Sequence, residues 1–183
     1  MNITVPIKDR EQIKSILDVY PYGTKNHLLI AYALYTGLRI SDILMANVGD
    51  SMAGIWTGKE IKTGKTKVVK LNAKLQGIIN YYVASNKLNG TDYLFFSSKD
   101  RTKPIGRNRA DKIIRYAGDM IGLDTLSAHS LRKTFGYLAY KNGTDISLLM
   151  EIFNHSSQAI TLRYIGITQD DINAVYDSID LGI

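Results

Sequence analysis

The sequence predicts an α+β domain, mostly helical with one small antiparallel β-hairpin. Two observations predict it. Apolar residues recur at helical spacing through most of the chain, from Ile13 to Ile179. Over residues 50–71 that spacing gives way to short β-prone runs separated by Thr-Gly pairs. With 183 residues, 45% hydrophobic and 22% charged, the chain suits one well-buried domain and is too short for two ordinary ones.

Residues 8–19 place Ile13, Ile16 and Leu17 on one helical face, with Asp9 at the N-cap. Pro21, Tyr22 and Gly23 break that helix. A second, over about 25–36, carries the run LLIAYALY and reads as buried on most sides. Thr36-Gly37 ends it. A third is predicted over 38–45, LRISDILM, where Arg39 and Asp42 share a face. Two or three strands are then expected, at Ile55-Trp56, Glu60-Ile61 and 66–71. Their setting is basic: Lys59, Lys62, Lys65, Lys67, Lys70 and Lys74 stand against Glu60 alone.

Helix returns over 73–85, followed by a loop over 86–92 and a short buried run at 93–96. A basic loop with Arg101 and Lys103 then leads through Arg107 and Arg109 into a helix whose apolar face is Ile113, Ile114, Ala117 and Met120. Such a loop suits phosphate contacts at a helix N-terminus. The helix over about 129–141 projects His129 and Arg132 together from its first turn, and Gly136 keeps one side open for close approach. Asn142-Gly143 stops it. Thr144 or Asp145 caps ISLLMEIF, and Ser156 or Ser157 caps a further turn ending near Arg163. The last helix, 169–179, is amphipathic through Ile172, Val175, Tyr176 and Ile179, and packing on its own domain is the simplest use of that face.

Composition removes several functions. The chain has no cysteine, which excludes a disulfide, a thiolate metal site and a cysteine nucleophile. The N-terminus lacks the basic-then-apolar run of a signal peptide, and the longest apolar stretch is eight residues, too short to span a bilayer. A cytoplasmic protein is expected. Four acids and no lysine or arginine follow Gln169, so the overall charge of +6 leaves +10 on the first 168 residues. A basic body of that kind favours a polyanion as partner, most simply nucleic acid.

Cleaving a phosphodiester without a metal requires fixed positive charge at the non-bridging oxygens, a nucleophile able to leave again, and a proton donor for the leaving oxygen. Arginine suits the first because its planar fork donates two hydrogen bonds to phosphate. Tyrosine suits the second and lysine the third. Arg39, Arg132, Tyr164 and Lys62 fill these positions, with His129 and His155 as further donors or proton carriers. Taken singly, each has an ordinary structural explanation, and Tyr164 is one of twelve tyrosines. No carboxylate cluster or P-loop glycine pattern is present, and the two histidines, 26 apart, have no third ligand at short spacing. Neither metal nor cofactor is expected.

Spacing is what sets these residues apart. HSLRKTFG, followed by FNHSS and RYIG, resembles the catalytic core of the tyrosine recombinases, the phage-integrase family, with its H-x-x-R, its later L-G-H and its nucleophilic tyrosine. His129 and Arg132 match H-x-x-R; His155 lies 23 residues after Arg132, and Tyr164 nine after His155. TGLRISDIL resembles the first arginine box, with Arg39 as the arginine and Asp42 as its supporting acid. KTGKTKVVKL resembles the hairpin bearing the family's lysine, with Lys62 the best match and Lys65 the alternative. One departure stands out: Asn154 occupies the place of the L-G-H glycine, and asparagine tolerates a left-handed backbone better than most residues.

The resemblance implies a site-specific DNA recombinase that cleaves and rejoins strands through a 3′-phosphotyrosyl intermediate. Lys65, Lys67, Arg101, Lys103, Arg107 and Arg109 would add contacts to double-stranded DNA. It also implies a homotetramer on DNA that exchanges C-terminal segments between neighbours, with accessory DNA-bending proteins and a nucleoid location. A type IB topoisomerase and a DNA-binding regulator with this fold are the alternatives. The expected organisation is a single catalytic domain over 1–183, without the separate helical domain that usually precedes it.

Overall fold

A helix that is apolar on every side has to lie inside others, and the stretch from Leu28 to Leu34 is of that kind. The computed structural model describes residues 4–59 and 66–182. The described elements begin with α1 (Arg10–Asp18), α2 (Lys25–Thr36), α3 (Ile40–Leu44), α4 (Val48–Met52), β1 (Ile55–Lys59), β2 (Thr66–Lys70) and α5 (Ala73–Asn86). They continue with β3 (Phe96–Ser97), β4 (Asp100–Pro104), α6 (Arg107–Asp119), α7 (Ala128–Lys141), α8 (Ile146–Phe153), α9 (Gln158–Tyr164) and α10 (Gln169–Asp177).

Helix α2 is the central post. His27 through Leu34 are all buried, and α1, α3, α5, α6 and α7 pack around them. Thr24 caps its start by accepting the His27 N–H, and Gly37 ends it in the left-handed region at φ 59°. Glycine is needed there twice over, because a Cβ on Gly37 would also lie 2.3 Å from the Phe135 ring of α7. A second, smaller core of Tyr137, Leu149, Phe153 and Ile165 joins the far side of α7 to α8 and α9. Gly136 makes that joint close: a Cβ would meet Phe153 and Ile165 at 2.6 and 2.7 Å.

The structure departs from the sequence reading at α4, β4, α3 and α6. Residues 48–52 form helix α4, begun by the Asn47 side chain accepting the Asp50 N–H, so strand structure starts only at Ile55. The hairpin comprises two described strands, with Ile55 opposite Lys70 and Lys59 opposite Thr66; the expected Glu60-Ile61 run lies outside the described residues. The basic stretch read as a loop is strand β4, paired with β3, so it does not present a loop to phosphate. The third helix starts at Ile40, which leaves Arg39 at its N-cap, and Met120 is 60% exposed at the C-cap of α6, off the apolar face.

Helix α10 also departs from expectation. None of its residues is buried: Val175 is 60% and Tyr176 75% exposed. Polar contacts hold it instead. Asp171 accepts the Thr168 N–H at 3.0 Å in a capping box, and pairs with Lys8 at 3.1 Å and Lys141 at 3.2 Å. These contacts, the Thr168 backbone bond first, hold its carboxyl well below the usual carboxylate range. A depressed folded-state value means that the stabilisation is present above the unfolded value of about 3.9 and is lost as pH falls below it. Protection of the α10 amides relative to those of α7 should therefore fall on acidification below about pH 4. Asp171→Ala should weaken α10 by about 1 kcal/mol at neutral pH, the scale of a lost capping side chain, read by hydrogen exchange.

Candidate active site

Helix α7 opens with Ser127 as N-cap, its hydroxyl accepting the Ser130 N–H, which fixes the first turn that carries His129 and Arg132. Arg132 is only 6% exposed. A buried guanidinium needs partners. Its Nη1 donates to the Gly37 carbonyl, and its plane lies 4.7 Å from the Phe153 ring centroid. The same turn of chain leads directly to Arg39, which stands exposed at the N-cap of α3.

The other half of the site comes from α8 and α9. Asn154 ends α8 at φ 57°, ψ 50°, so the left-handed turn expected of a glycine is made by asparagine. That turn brings His155 back toward α7. Tyr164 is the last residue of α9, and its ring lies edge-on between two imidazoles, 5.1 Å from His129 and 4.8 Å from His155. Arg39, Arg107, His129, Arg132, His155 and Tyr164 line one cleft of about 300 Å³.

The electrostatics of the cleft follow from burial and two guanidiniums. Burial, then the charges of Lys133, Arg132 and Arg39, push the His129 pKa down. Burial followed by Arg132 and Arg39 does the same to His155. Burial raises the Tyr164 phenol, opposed by the charges of Arg132 and Arg39. Its hydroxyl is buried, makes no hydrogen bond of ordinary geometry among the described residues, and lies close enough to the Arg132 guanidinium for that group to favour its ionised form. The site thus holds a neutral phenol and two neutral imidazoles beside fixed positive charge, a surface fitted to an anion.

Five of the six expected catalytic residues are therefore brought together. Lys62, like Lys65, lies outside the described residues. Lys67 donates from Nζ to the Ile152 carbonyl at 3.3 Å, which ties β2 to the end of α8 beside the cleft. Asp42 makes no ion pair with Arg39 among the described residues; its carboxylate accepts from Ser41 and its carbonyl takes the Trp56 indole N–H at 3.0 Å. Its charge favours the Arg132 cation.

Among the expected DNA contacts, Arg107 lines the cleft and is 3.9 Å from Asp111. Arg109 is exposed on α6. Arg101 donates to the Asn86 and Lys87 carbonyls and lies over Phe96, while Lys103 pairs with Asp100, so both brace the β3–β4 hairpin. Sequence reasoning missed Lys133, whose Nζ lies 5.4 Å from the Tyr164 ring centroid. Its signal was a position one turn after His129. No group of three or more potential metal-ligating side chains occurs among the described residues, and no helix there is long and apolar enough to cross a membrane.

The Phage integrase family matches residues 8–170. The chain belongs to that family. The probable integrase/recombinase YoeC of Bacillus subtilis is 36% identical over 179 residues, spanning 96% of this chain and 97% of YoeC. The crystal structure of XerA recombinase superposes with a TM-score of 0.76 at 21% identity, over 97% of this chain and 64% of XerA. The XerH site-specific recombinase bound to palindromic difH substrate gives 0.71 at 22%, over 97% of this chain and 54% of XerH. The chain therefore spans nearly all of YoeC and between about half and two thirds of the Xer recombinases. Its fold is that of tyrosine recombinases, a family of enzymes that break and rejoin DNA.

Two measurements test the geometry of this cleft. Both cleft histidines should titrate with midpoints below the ordinary value of about 6.5, followed by imidazole NMR; because the unfolded chain binds these protons more readily, they lower stability as pH falls through that range. Asn154→Gly should leave stability within about 0.5 kcal/mol, whereas Asn154→Val should cost about 1–2 kcal/mol for a side chain forced left-handed, read by denaturant unfolding.

Proposed function

We propose that this chain is a site-specific DNA recombinase acting on double-stranded DNA, with residues 1–183 working as a single catalytic domain. The observation that carries this reading is the Tyr164 ring set between His129 and His155 in a cleft that also holds Arg39 and Arg132. Arg39 and Arg132 hold the scissile phosphate by their guanidinium forks. The Tyr164 oxygen attacks phosphorus, forming a 3′-phosphotyrosyl bond as the bond to the 5′ oxygen breaks. Lys62, with Lys65 as the alternative, protonates that leaving oxygen, and His129 and His155 assist with donors and proton transfer. A 5′-hydroxyl from the partner duplex then attacks the phosphotyrosine and regenerates the phenol. The intermediate retains the energy of the phosphodiester bond, so strand exchange runs without ATP or a metal.

Several features support the wider assignment. The first 168 residues carry +10, and XerH is solved on its difH substrate. Lys65, Lys67, Arg101, Lys103, Arg107 and Arg109 supply further positive charge, with Arg107 closest to the chemistry because it lines the cleft. The exposed apolar residues of α10 favour a homotetramer on two duplexes, joined by exchange of C-terminal segments. Accessory DNA-bending proteins and a nucleoid location in the cytoplasm complete the reading.

A nicked suicide DNA duplex tests it. Wild type should yield a covalent, denaturant-resistant adduct and Tyr164→Phe none, with strand exchange between two labelled duplexes following in the wild type. Lys62→Ala should slow cleavage by at least 100-fold, the ordinary weight of a general acid. Unchanged cleavage in Lys62→Ala would move that role to Lys65. A chain that shifts DNA in a gel but forms no adduct is a binding protein, and the recombinase reading would fall.

A further inference from the structure

His155 has a partner that its role at a phosphate does not explain. Its Nδ1 lies 3.1 Å from the hydroxyl of Thr161, a side chain with no solvent exposure in the middle of α9. That hydroxyl has one proton to give. It also lies 3.2 Å from the carbonyl of Ser157, one helical turn earlier, in the geometry of a donor to that carbonyl. Threonine inside a helix habitually gives its proton to the carbonyl four residues back. With the proton committed there, the oxygen can only accept from the ring, so Nδ1 must carry the hydrogen.

The opposite ring nitrogen then has no proton. Nδ1 is turned into α9, so Nε2 is the nitrogen left to the cleft, where the ring lies beside Tyr164 and feels the charges of Arg132 and Arg39. A lone pair facing cations is favoured over an N–H facing them. Both ends of the imidazole therefore select one tautomer.

We infer that Thr161 is a positioning residue that holds His155 in its Nδ1–H tautomer, so that Nε2 faces the cleft as a proton acceptor. This rests on the reading of the cleft as a recombinase site, and it adds a direction to the proton. Tyr164 must lose its hydrogen as its oxygen bonds to phosphorus, and no acceptor is hydrogen-bonded to its hydroxyl among the described residues; the neighbouring Arg132 is a donor only. A bare Nε2 is available to take that proton. The imidazolium so formed is a donor at both nitrogens and is fitted to a phosphate oxygen.

The tautomer is read without DNA. The chain has three histidines, so long-range proton–nitrogen NMR of the labelled full chain, above neutral pH, resolves each ring, with His27→Gln and His129→Gln as assignment controls. The wild type and Thr161→Ser should show His155 protonated at Nδ1. Thr161→Val, which keeps the outline and removes the acceptor, should shift it toward Nε2–H. In the suicide-substrate assay Thr161→Val should slow adduct formation on the order of tenfold, as loss of an orienting partner does, with DNA affinity unchanged and Thr161→Ser near wild type. A wild-type ring protonated at Nε2 overturns the inference by itself, whether or not the valine variant folds. So does a folded valine variant with unaltered tautomer or cleavage rate. If the tautomer is as stated and wild type forms no adduct, the recombinase reading fails while the Thr161–His155 assignment stands.

Discussion

The contact on which the site depends is the hydrogen bond from the buried Arg132 guanidinium to the carbonyl of Gly37. It joins residues 95 apart in sequence and locks the start of α7 to the end of α2. A buried cation left unpaired would be strongly destabilising, so the bond is under pressure to form. Gly37 meets it because only glycine gives both the left-handed turn and the space for Phe135 beneath it. Arg39 follows two residues later. One contact therefore fixes the depth of one arginine and the place of the other.

The second half of the cleft is held by packing. The small core of Phe153, Leu149, Tyr137 and Ile165 presses α8 and α9 against the side of α7 left open by Gly136. Phe153 works in both halves: its ring packs in that core and also lies against Arg132, with Tyr164 at 5.1 Å. The Asn154 turn then places His155 within reach of the same rings. A cation held by a carbonyl and a tyrosine held by an apolar cluster meet across one aromatic side chain.

Much of this was legible in the sequence. Helices α1, α2 and α7 have both an apolar period and a recognisable cap or stop, and two independent signals locate an element well. The hairpin β3–β4 was not legible, because Arg101, Thr102 and Lys103 are all exposed and give no alternation of apolar and polar residues. Helix α4 is five residues, too short to show a period, and Asn47 is its only mark. In α10 the apolar period was real, yet those residues meet solvent, since periodicity shows that a face exists and not what covers it. At the site, chemically rare residues could be read from their intervals. Thr161 could not, because a buried threonine in a helix looks like filler until its neighbour is known. Asp42 shares a helical face with Arg39 without pairing with it among the described residues, and its charge acts on Arg132 instead.

Phosphate would not simply activate this site. Its negative charge stabilises the two guanidiniums and favours protonated imidazoles, but it opposes a phenolate beside it. The Tyr164 phenol, already raised by burial, is thus pushed further from ionising when DNA arrives. On the proposed mechanism the proton then passes to a neighbour as the oxygen attacks, rather than to water beforehand. That neighbour must be neutral before attack and able to hold a positive charge after it, next to the phosphate. Burial and the two arginines keep both imidazoles neutral in the absence of an anion, and the incoming phosphate reverses the preference. On the proposed mechanism cleavage is then coupled to occupancy: with no phosphate in the cleft, neither imidazole favours the proton that Tyr164 would give up.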